Sequence, residues 1–502
     1  MEILESLAHG FSVALTPHNL FYCFLGAVLG TAVGVLPGLG TITGVAILIP
    51  ATIGMDSTSA IIMLAGIYYG AQYGGSTTAI LLNLPGESTS VMTCLDGYQM
   101  ARQGRAGQAL GMAAISSFIA GTAGVVALMI VAPTLAKVAL TFGPPEYAAL
   151  MILSLTAIGA LLGESVVKGM IMGVLGLMIG TVGIDTQSGV SRFTFGVPNL
   201  LEGISFLSVI VGMFGVAEVL ENIEKKLRTE PVRGKLRRLL PDTADWVAAR
   251  MSILRGTVMG FFLGTLPGIG ATASTMIAYV AERRASRHPE KFGTGAIEGI
   301  AAPEAANNAS ATGAMVPLLT LGIPASGTAA VILAALILND VRPGPRLFET
   351  NPGLVWGLIA SMYVGNVMLL ILNLPLIGIW VRLIRIRYEI LGPATLFFAF
   401  IGVYAAETNI FEVYVMLAAG VAGYLLRKLK FPEGPLILGL VLGPLLEDQL
   451  RRSLTMSLGD LSILVTRPIS GTIIAIAALS VLWPLVRQVL RAARARRADA
   501  MS

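Results

Sequence analysis

The stretch "GAVLGTAVGVLPGLG", Gly26 to Gly40, spaces glycines at 26, 30 and 34, then interrupts an apolar segment with Pro37, Gly38 and Gly40. Small residues four apart share one helix face and let a second backbone approach closely. Proline lacks the amide donor a helix needs and stops it. The stretch "GTVMGFFLGTLPGIG", Gly256 to Gly270, carries Gly256, Gly260, Gly264, Pro267, Gly268 and Gly270, each 230 residues after its counterpart. Five glycines and a proline at one offset mark two related halves, and such self-similarity decides the architecture.

Composition names the solvent. Of 502 residues, 55% are hydrophobic and 13% charged, and the mean hydropathy is +0.79. Soluble domains carry about 25% charged residues. Apolar runs at 109–135, 145–163, 353–380 and 470–486 suit a bilayer crossing of roughly 17–25 residues. They are continuously apolar, whereas a β-barrel would alternate in segments of about ten. The sequence therefore predicts an all-α polytopic membrane protein of ten to twelve crossings, with broken helices or re-entrant hairpins in each half.

The N-terminal "MEILESLAHGFSVALTPHN" has no basic leader or small-residue cleavage site, so no removable signal is read there. Ile3, Leu4, Leu7, Phe11 and Leu15 fall on one helical face, which fits an interfacial helix or a lead-in to the first span. Cys23 and Cys94 lack partners at metal-ligand spacing and read as small hydrophobes.

The net charge of +5 is clustered: seven basic residues lie between Lys225 and Arg238, and five between Arg487 and Arg497. Beside membrane spans such clusters mark the cytoplasmic side rather than nucleic-acid binding. The organisation expected is a first half over 1–224, a basic cytoplasmic linker over 225–250, a second half over 251–469, and a final span with a basic cytoplasmic tail over 470–502. With both clusters cytoplasmic, 251–486 crosses an even number of times. An inverted pair needs an odd number per half, so 470–486 reads as an added return span.

Enzymatic chemistry finds no footing. His9, His18 and His288 lie in or beside polar segments, so no Ser-His or Cys-His pair stands within the membrane. "SLGD" at 457–460 lacks the first glycine of an intramembrane aspartyl-protease signature. "PGLGTITG" lacks the Lys-Ser/Thr of a phosphate loop.

Transport chemistry does. Backbone groups freed at a mid-membrane break must be buried in protein or line a cavity, and a helix restarting there aims its positive end at that cavity. Thr41 and Thr43 follow the first break; Thr272 and Ser274 follow the second. Their hydroxyls can bind an anion or, with freed carbonyls, a cation. "EGIAAPEAANNASATG", Glu298 to Gly313, is the densest polar cluster in apolar context, with Glu304, Asn307, Asn308, Ser310 and Thr312. A carboxylate there costs roughly 2.5–3.5 kcal/mol on insertion scales, so Glu304 is expected to meet a cation, a cavity or a helix N-terminus; the alternative is a polar loop over 293–306. No Lys or Arg stands mid-span in either motif.

These segments, with "AGIYYGAQYGGSTTAILLNLPGE", "CLDGYQMARQGRAGQALG", "GTVGIDTQSGVSRFTFGVPNLLEGISF", "APEAANNASATGAMVPLLTLGIPASGTA" and "RPGPRLF", resemble the large membrane subunit of the tripartite tricarboxylate transporters, the TctA-type permeases, over nearly the whole chain. Small departures at Thr312-Gly313 and Ala325 leave the substrate open. The resemblance implies a secondary transporter of the bacterial inner membrane. It implies a small TctB-type membrane subunit, a periplasmic TctC-type solute-binding protein, a di- or tricarboxylate cargo, and a cation gradient, Na+ favoured over H+, with no cofactor or resident metal. It makes the candidate substrate or ion site the breaks at Pro37, Gly38, Gly40 and Pro267, Gly268, Gly270, with Thr41, Thr43, Thr272 and Ser274. It adds the proline-hydroxyl elements Ser76, Thr77, Asn83, Pro85, Gly86, Ser88 and Pro324, Ser326, Thr328, with Glu304, Asn307, Asn308 and Ser310. An elevator-like motion is the expected transport step.

Two rivals are weaker. An ATP-driven permease would need glycine where Ser310 stands, and Ile-x-Leu-Pro where Thr320, Gly322 and Ile323 stand. An intramembrane hydrolase lacks its catalytic groups.

Overall fold

The computed structural model describes residues 2–36, 39–161, 165–185, 187–225, 238–267, 269–384, 386 and 388–482. Pro37, Gly38, Gly268, residues 226–237 of the basic linker and the tail beyond 482 lie outside the described residues. In chain order the helices are α1 (Glu2–Ala14), α2 (Pro17–Val35), α3 (Thr41–Leu48), α4 (Ser57–Leu82), α5 (Val91–Arg102), α6 (Ala106–Ala139), α7 (Pro144–Leu161) and α8 (Val166–Gly180). A ribbon of β1 (Gly183–Ile184) and β2 (Ser191–Arg192) pairs antiparallel. Then come α9 (Phe206–Ile210), a π segment, α10 (Ala217–Lys225), α11 (Thr243–Thr265), α12 (Gly270–Ala285), α13 (Glu298–Leu321), α14 (Gly327–Leu338) and α15 (Leu347–Thr350). The last are α16 (Pro352–Asn373), α17 (Ile377–Leu383), α18 (Tyr388–Glu407), α19 (Ile410–Lys428), α20 (Gly434–Met456), α21 (Ile463–Thr466) and α22 (Pro468–Leu482). The fold is all-α, as a chain that must satisfy its own backbone in lipid requires. Among the described residues seven helices are long and apolar enough to cross a membrane, beginning at Pro17, Ala106, Phe206, Thr243, Pro352, Tyr388 and Ile410. Shorter apolar helices start at Thr41, Val167, Gly327 and Pro468.

The chain divides into two compact units. The first comprises Met1–Leu140, Leu207–Leu266 and Gly270–Tyr424; the second comprises Thr141–Phe206, Pro267–Ile269 and Leu425–Ser502.

Within the first unit the glycines of the opening stretch act as a zipper. A Cβ on Gly26, Gly30 or Gly34 would lie 2.2–2.3 Å from the carbonyl oxygens of Met63, Ile67 and Ala71 on α4. A Cβ on Gly256, Gly260 or Gly264 would lie 2.3–2.4 Å from those of Ala302, Ala306 and Ser310 on α13. Only glycine permits either approach. Helices α2 and α11 then stop alike, at Leu36 (ψ 112°) and Leu266 (ψ 121°). Each leucine precedes a proline, whose ring drives the residue before it out of the helical region.

The zipper partners form the core of this unit. Every residue of α4 from Ser59 to Leu81 is buried, and so is every residue of α13 from Gly299 to Thr320. Both helices end on a left-handed residue, Asn83 (φ 57°) and Gly322 (φ 68°), two positions before Pro85 and Pro324. These paired features stand 239 residues apart, as do the carbonyls that receive the two zippers. After the prolines, Glu87 caps a short 3₁₀ turn and Ser326 caps α14, again 239 residues apart. The segment 298–321 is thus helix, and Glu304 lies inside it rather than in a polar loop.

Helix α1 packs on α16, where a Cβ on Gly10 would meet the Trp356 carbonyl at 2.2 Å. Its residues Ile3 and Leu4, and Leu15 just beyond it, stay exposed.

In the second unit α7 and α8 pack on α20. Gly176 and Gly439 sit against the Leu436 and Gly173 carbonyls, at 2.0 and 2.3 Å from an added Cβ. Asp185, beyond α8, takes the amides of Gln187 (2.9 Å) and Ser188 (3.4 Å) and the Arg451 guanidinium (2.7 Å). The Gln187 amide and then Arg451 hold its carboxyl well below the usual range.

Candidate functional site

Glu87 and Glu304 are among the buried carboxylates of the first unit. An ion taken out of water costs several kcal/mol unless partners replace its hydration. For both residues the replacements are neutral groups.

Glu304 sits two turns into α13. One of its oxygens accepts from the Thr93 hydroxyl of α5; the other accepts from Ser76 of α4 (2.7 Å) and Ser117 of α6 (3.3 Å). Three helices thus each aim a hydroxyl at one carboxylate. Ser76 and Ser117 also border a water-sized cavity, together with Tyr73, Thr77 and Asn373. The Asn373 amide donates to Leu369 O (3.0 Å), while its Oδ1 meets no protein donor. Tyr73 donates to Asn366 Oδ1 (2.6 Å), and Asn366 donates to Phe118 O and Thr122 Oγ1 (2.8 and 2.9 Å).

Glu87 lies in the turn after α4. Its carboxylate accepts from the hydroxyls of Thr41 and Thr89 and from Asn307 Nδ2 (3.2 Å). Thr41 is the first residue of α3, so the charge rests near that helix's positive end. Two residues on, the Thr43 hydroxyl meets Glu218 Oε2 (2.6 Å) and Phe214 O (3.1 Å). The two hydroxyls that follow the first break therefore face carboxylates, which favours a cation over an anion beside them. Asn307 lies one turn beyond Glu304 on α13, so that helix carries one acidic residue and a partner of the other. No named partner of Glu87 or Glu304 among the described residues is a Lys, Arg or His.

The second break contributes through α12. Gly270 opens it in the left-handed region (φ +61°), where a Cβ would stand 3.6 Å from that of Ser326. Ser274 donates to Gly270 O (2.7 Å), and Ser310 of α13 reaches Ser274 Oγ (3.4 Å). Thr272 hydrogen-bonds Ser88 (2.9 Å), joining α12 to the turn after α4.

Other candidates stand apart. Asn83 and Pro85 are exposed, and Asn83 serves as the helix cap. Asn308 Nδ2 turns back to Glu304 O (3.4 Å), and Ser326 accepts the Ala329 amide (3.2 Å). Gly86 packs where a Cβ would lie 2.2 Å from Gly34 O, Pro324 and Thr328 are buried, and Gly40 precedes α3.

Sequence reading passed over Glu87 itself, although it named Gly86 and Ser88 on either side. A charge inside "LPGEST", between a proline turn and hydroxyls, was the available signal. It also missed Gln72, Thr89, Thr93, Ser117 and Asp96. Asp96 of α5 accepts from the amides of Gly293, Gly295 and Ala296 (2.8–2.9 Å) and from Tyr279 (2.8 Å), fixing the loop that leads into α13. These partners lie about 200 residues away in the chain, and no local spacing reveals them.

The family model described as "Tripartite tricarboxylate transporter TctA family" matches residues 20–438. The chain is 49% identical over 489 residues to the "Uncharacterized 52.8 kDa protein in TAR-I ttuC' 3'region" of Agrobacterium vitis, covering 97% of each chain. It is 46% identical over 230 residues to the "Uncharacterized protein in TAR-II ttuC' 3'region" of the same organism, covering 46% of this chain and 95% of that one. No solved structure matches.

Proposed function

We infer function from a fixed premise: this chain belongs to the tripartite tricarboxylate transporter TctA family. We propose that it is the large permease subunit of a secondary active importer in a bacterial inner membrane. A periplasmic solute-binding protein delivers a di- or tricarboxylate, a small membrane subunit completes the assembly, and a cation gradient drives uptake. The observation that carries this reading is the pair of buried carboxylates, Glu87 and Glu304, ringed by hydroxyls and amides where interrupted helices converge. Acidic groups without a fixed countercharge suit a site that takes up and releases a cation. The anionic cargo then binds beside that cation, through hydroxyls, amides and helix N-termini. Features recurring at offsets of 230 and 239 residues support reading the chain as two repeated halves, which on this proposal form an inverted pair with an elevator-like transport step.

Proteoliposomes holding both membrane subunits, supplied outside with carboxylate-loaded binding protein, test the reading. Uptake is expected to follow an imposed sodium or proton gradient without ATP. Uptake that ignores both gradients and needs ATP overturns it.

A further inference from the structure

Helix α6 starts beside the described part of the basic linker, where Arg105 grips Asp245 (2.8 Å), and runs 34 residues to Ala139. At 1.5 Å per residue it is about 51 Å long, more than the roughly 30 Å of hydrocarbon a bilayer presents. Its last turns therefore reach headgroup level on the far side from the linker. Ile119, Val126 and Ile130 are exposed on its outer face. Lys137 falls on that same face, about five turns after Ile119. An apolar stripe thus ends in a cation.

Lys137 also lines a cavity of 310 Å³, together with Ile3 of α1, Phe348 and Glu349 of α15, and Pro352 and Trp356 of α16. Lys137 and Glu349 are the charged residues of that lining. Among the described residues they pair neither with each other nor with another side chain. Two opposite charges thus share one largely apolar cavity without meeting. A ligand that carries both signs answers both, giving an anionic oxygen to the ammonium and a protonated amine to the carboxylate.

We propose that this cavity binds the headgroup of an aminophospholipid, phosphatidylethanolamine in chemistry, whose acyl chains lie along the Ile119–Ile130 stripe. Lys137 takes the phosphate and Glu349 takes the ammonium. The aromatic and apolar walls suit the glycerol and first acyl carbons, the depth at which aromatic rings settle in membranes. Phosphatidylglycerol has no amine for Glu349 and sets its phosphate charge near that carboxylate. Phosphatidylcholine replaces the N–H donors with methyl groups. The lipid spans α1, α6, α15 and α16, so it fastens the N-terminal helix to the bundle from outside.

The test is titration of the delipidated full-length protein in detergent with dioleoyl phosphatidylethanolamine, phosphatidylglycerol and phosphatidylcholine, read by native mass spectrometry. One phosphatidylethanolamine is expected to bind saturably, at least tenfold more tightly than either other lipid. Lys137→Ala should weaken it at least tenfold. Glu349→Gln should abolish the preference over phosphatidylcholine. Both side chains are exposed, so each variant should melt like wild type without lipid. Equal binding of the three lipids, or tighter binding of phosphatidylglycerol, overturns the proposal. Wild-type affinity and selectivity in both variants do the same. Binding of soluble glycerophosphoethanolamine as tightly as the diacyl lipid also overturns it, in favour of a free headgroup. The readout is lipid binding, so its failure leaves the transport reading untouched.

Discussion

Asp96 and Gly299 fit because one of them lacks a side chain: a Cβ at 299 would stand 2.2 Å from Asp96 Oδ2. Asp96 is fully buried and takes three backbone amides and the Tyr279 phenol. Hydrogen bonds to a charged group contribute about 1.5–3 kcal/mol each, and a buried amide left without its acceptor costs about 1–3 kcal/mol. Asp96→Ala should therefore destabilise the protein by about 4 kcal/mol or prevent its accumulation, with Tyr279→Phe costing less than half as much. Fluorescence-detected gel filtration across a temperature series ranks the two variants.

The zipper glycines make a second, graded prediction. Gly260→Ala places a methyl 2.4 Å from the Ala306 carbonyl and should cost about 1–3 kcal/mol as overpacking. Gly378 lies in α17 with nothing within 4 Å of its missing Cβ, so Gly378→Ala should be neutral or stabilise by about 0.5–1 kcal/mol. Equal melting temperatures for the two variants would show that the close approach is not structural.

Glu304 separates charge from shape. Glu304→Gln keeps the volume and most of the hydroxyl contacts, so folding should survive while gradient-driven uptake falls at least 100-fold. Glu304→Ala also strands the hydroxyls of Ser76, Thr93 and Ser117, and should lower stability by about 2 kcal/mol or more. Initial uptake rates and melting temperatures on the same preparations separate the two effects.

Asp185 carries a pH signature outside the spans. Its carboxyl is held low when folded, by the Gln187 amide and then Arg451. Its contribution is therefore complete above the ordinary carboxylate pKa of about 3.9 and fades as pH falls through that value towards the lower folded one. Hydrogen exchange of peptides spanning 183–192 should rise in wild type on acidification, beyond the intrinsic change. Asp185→Asn should exchange fast at every pH.

The helical class, the breaks and the glycine faces were legible in the sequence because each follows from local spacing. Gly26, Gly30 and Gly34 recur every four residues, and that period alone says what they do. Glu304 was legible because a charge amid alanines is costly. Glu87 was not, because its meaning depends on Thr41 and Asn307, brought in by two other elements. Asp96 was opaque for the same reason, since an acidic residue in "CLDGYQM" looks like any helix-surface charge until its partners arrive from about 200 residues along the chain. Asn83 shows the converse: a polar residue in a conspicuous motif whose work is to end a helix.

The spacing of corresponding features steps from 230 residues at Gly40 and Gly270 to 239 at Met63 and Ala302. The second stretch is thus nine residues longer between the helix after the break and the next core helix, and no longer along the zippers themselves. Helices that interlock by backbone contact cannot absorb an inserted residue, because one residue rotates all that follows by about 100°. The exposed pair Arg287–His288 lies in that longer stretch. A short epitope placed there should leave the protein intact, whereas a single alanine added between Gly30 and Gly34 should destroy it.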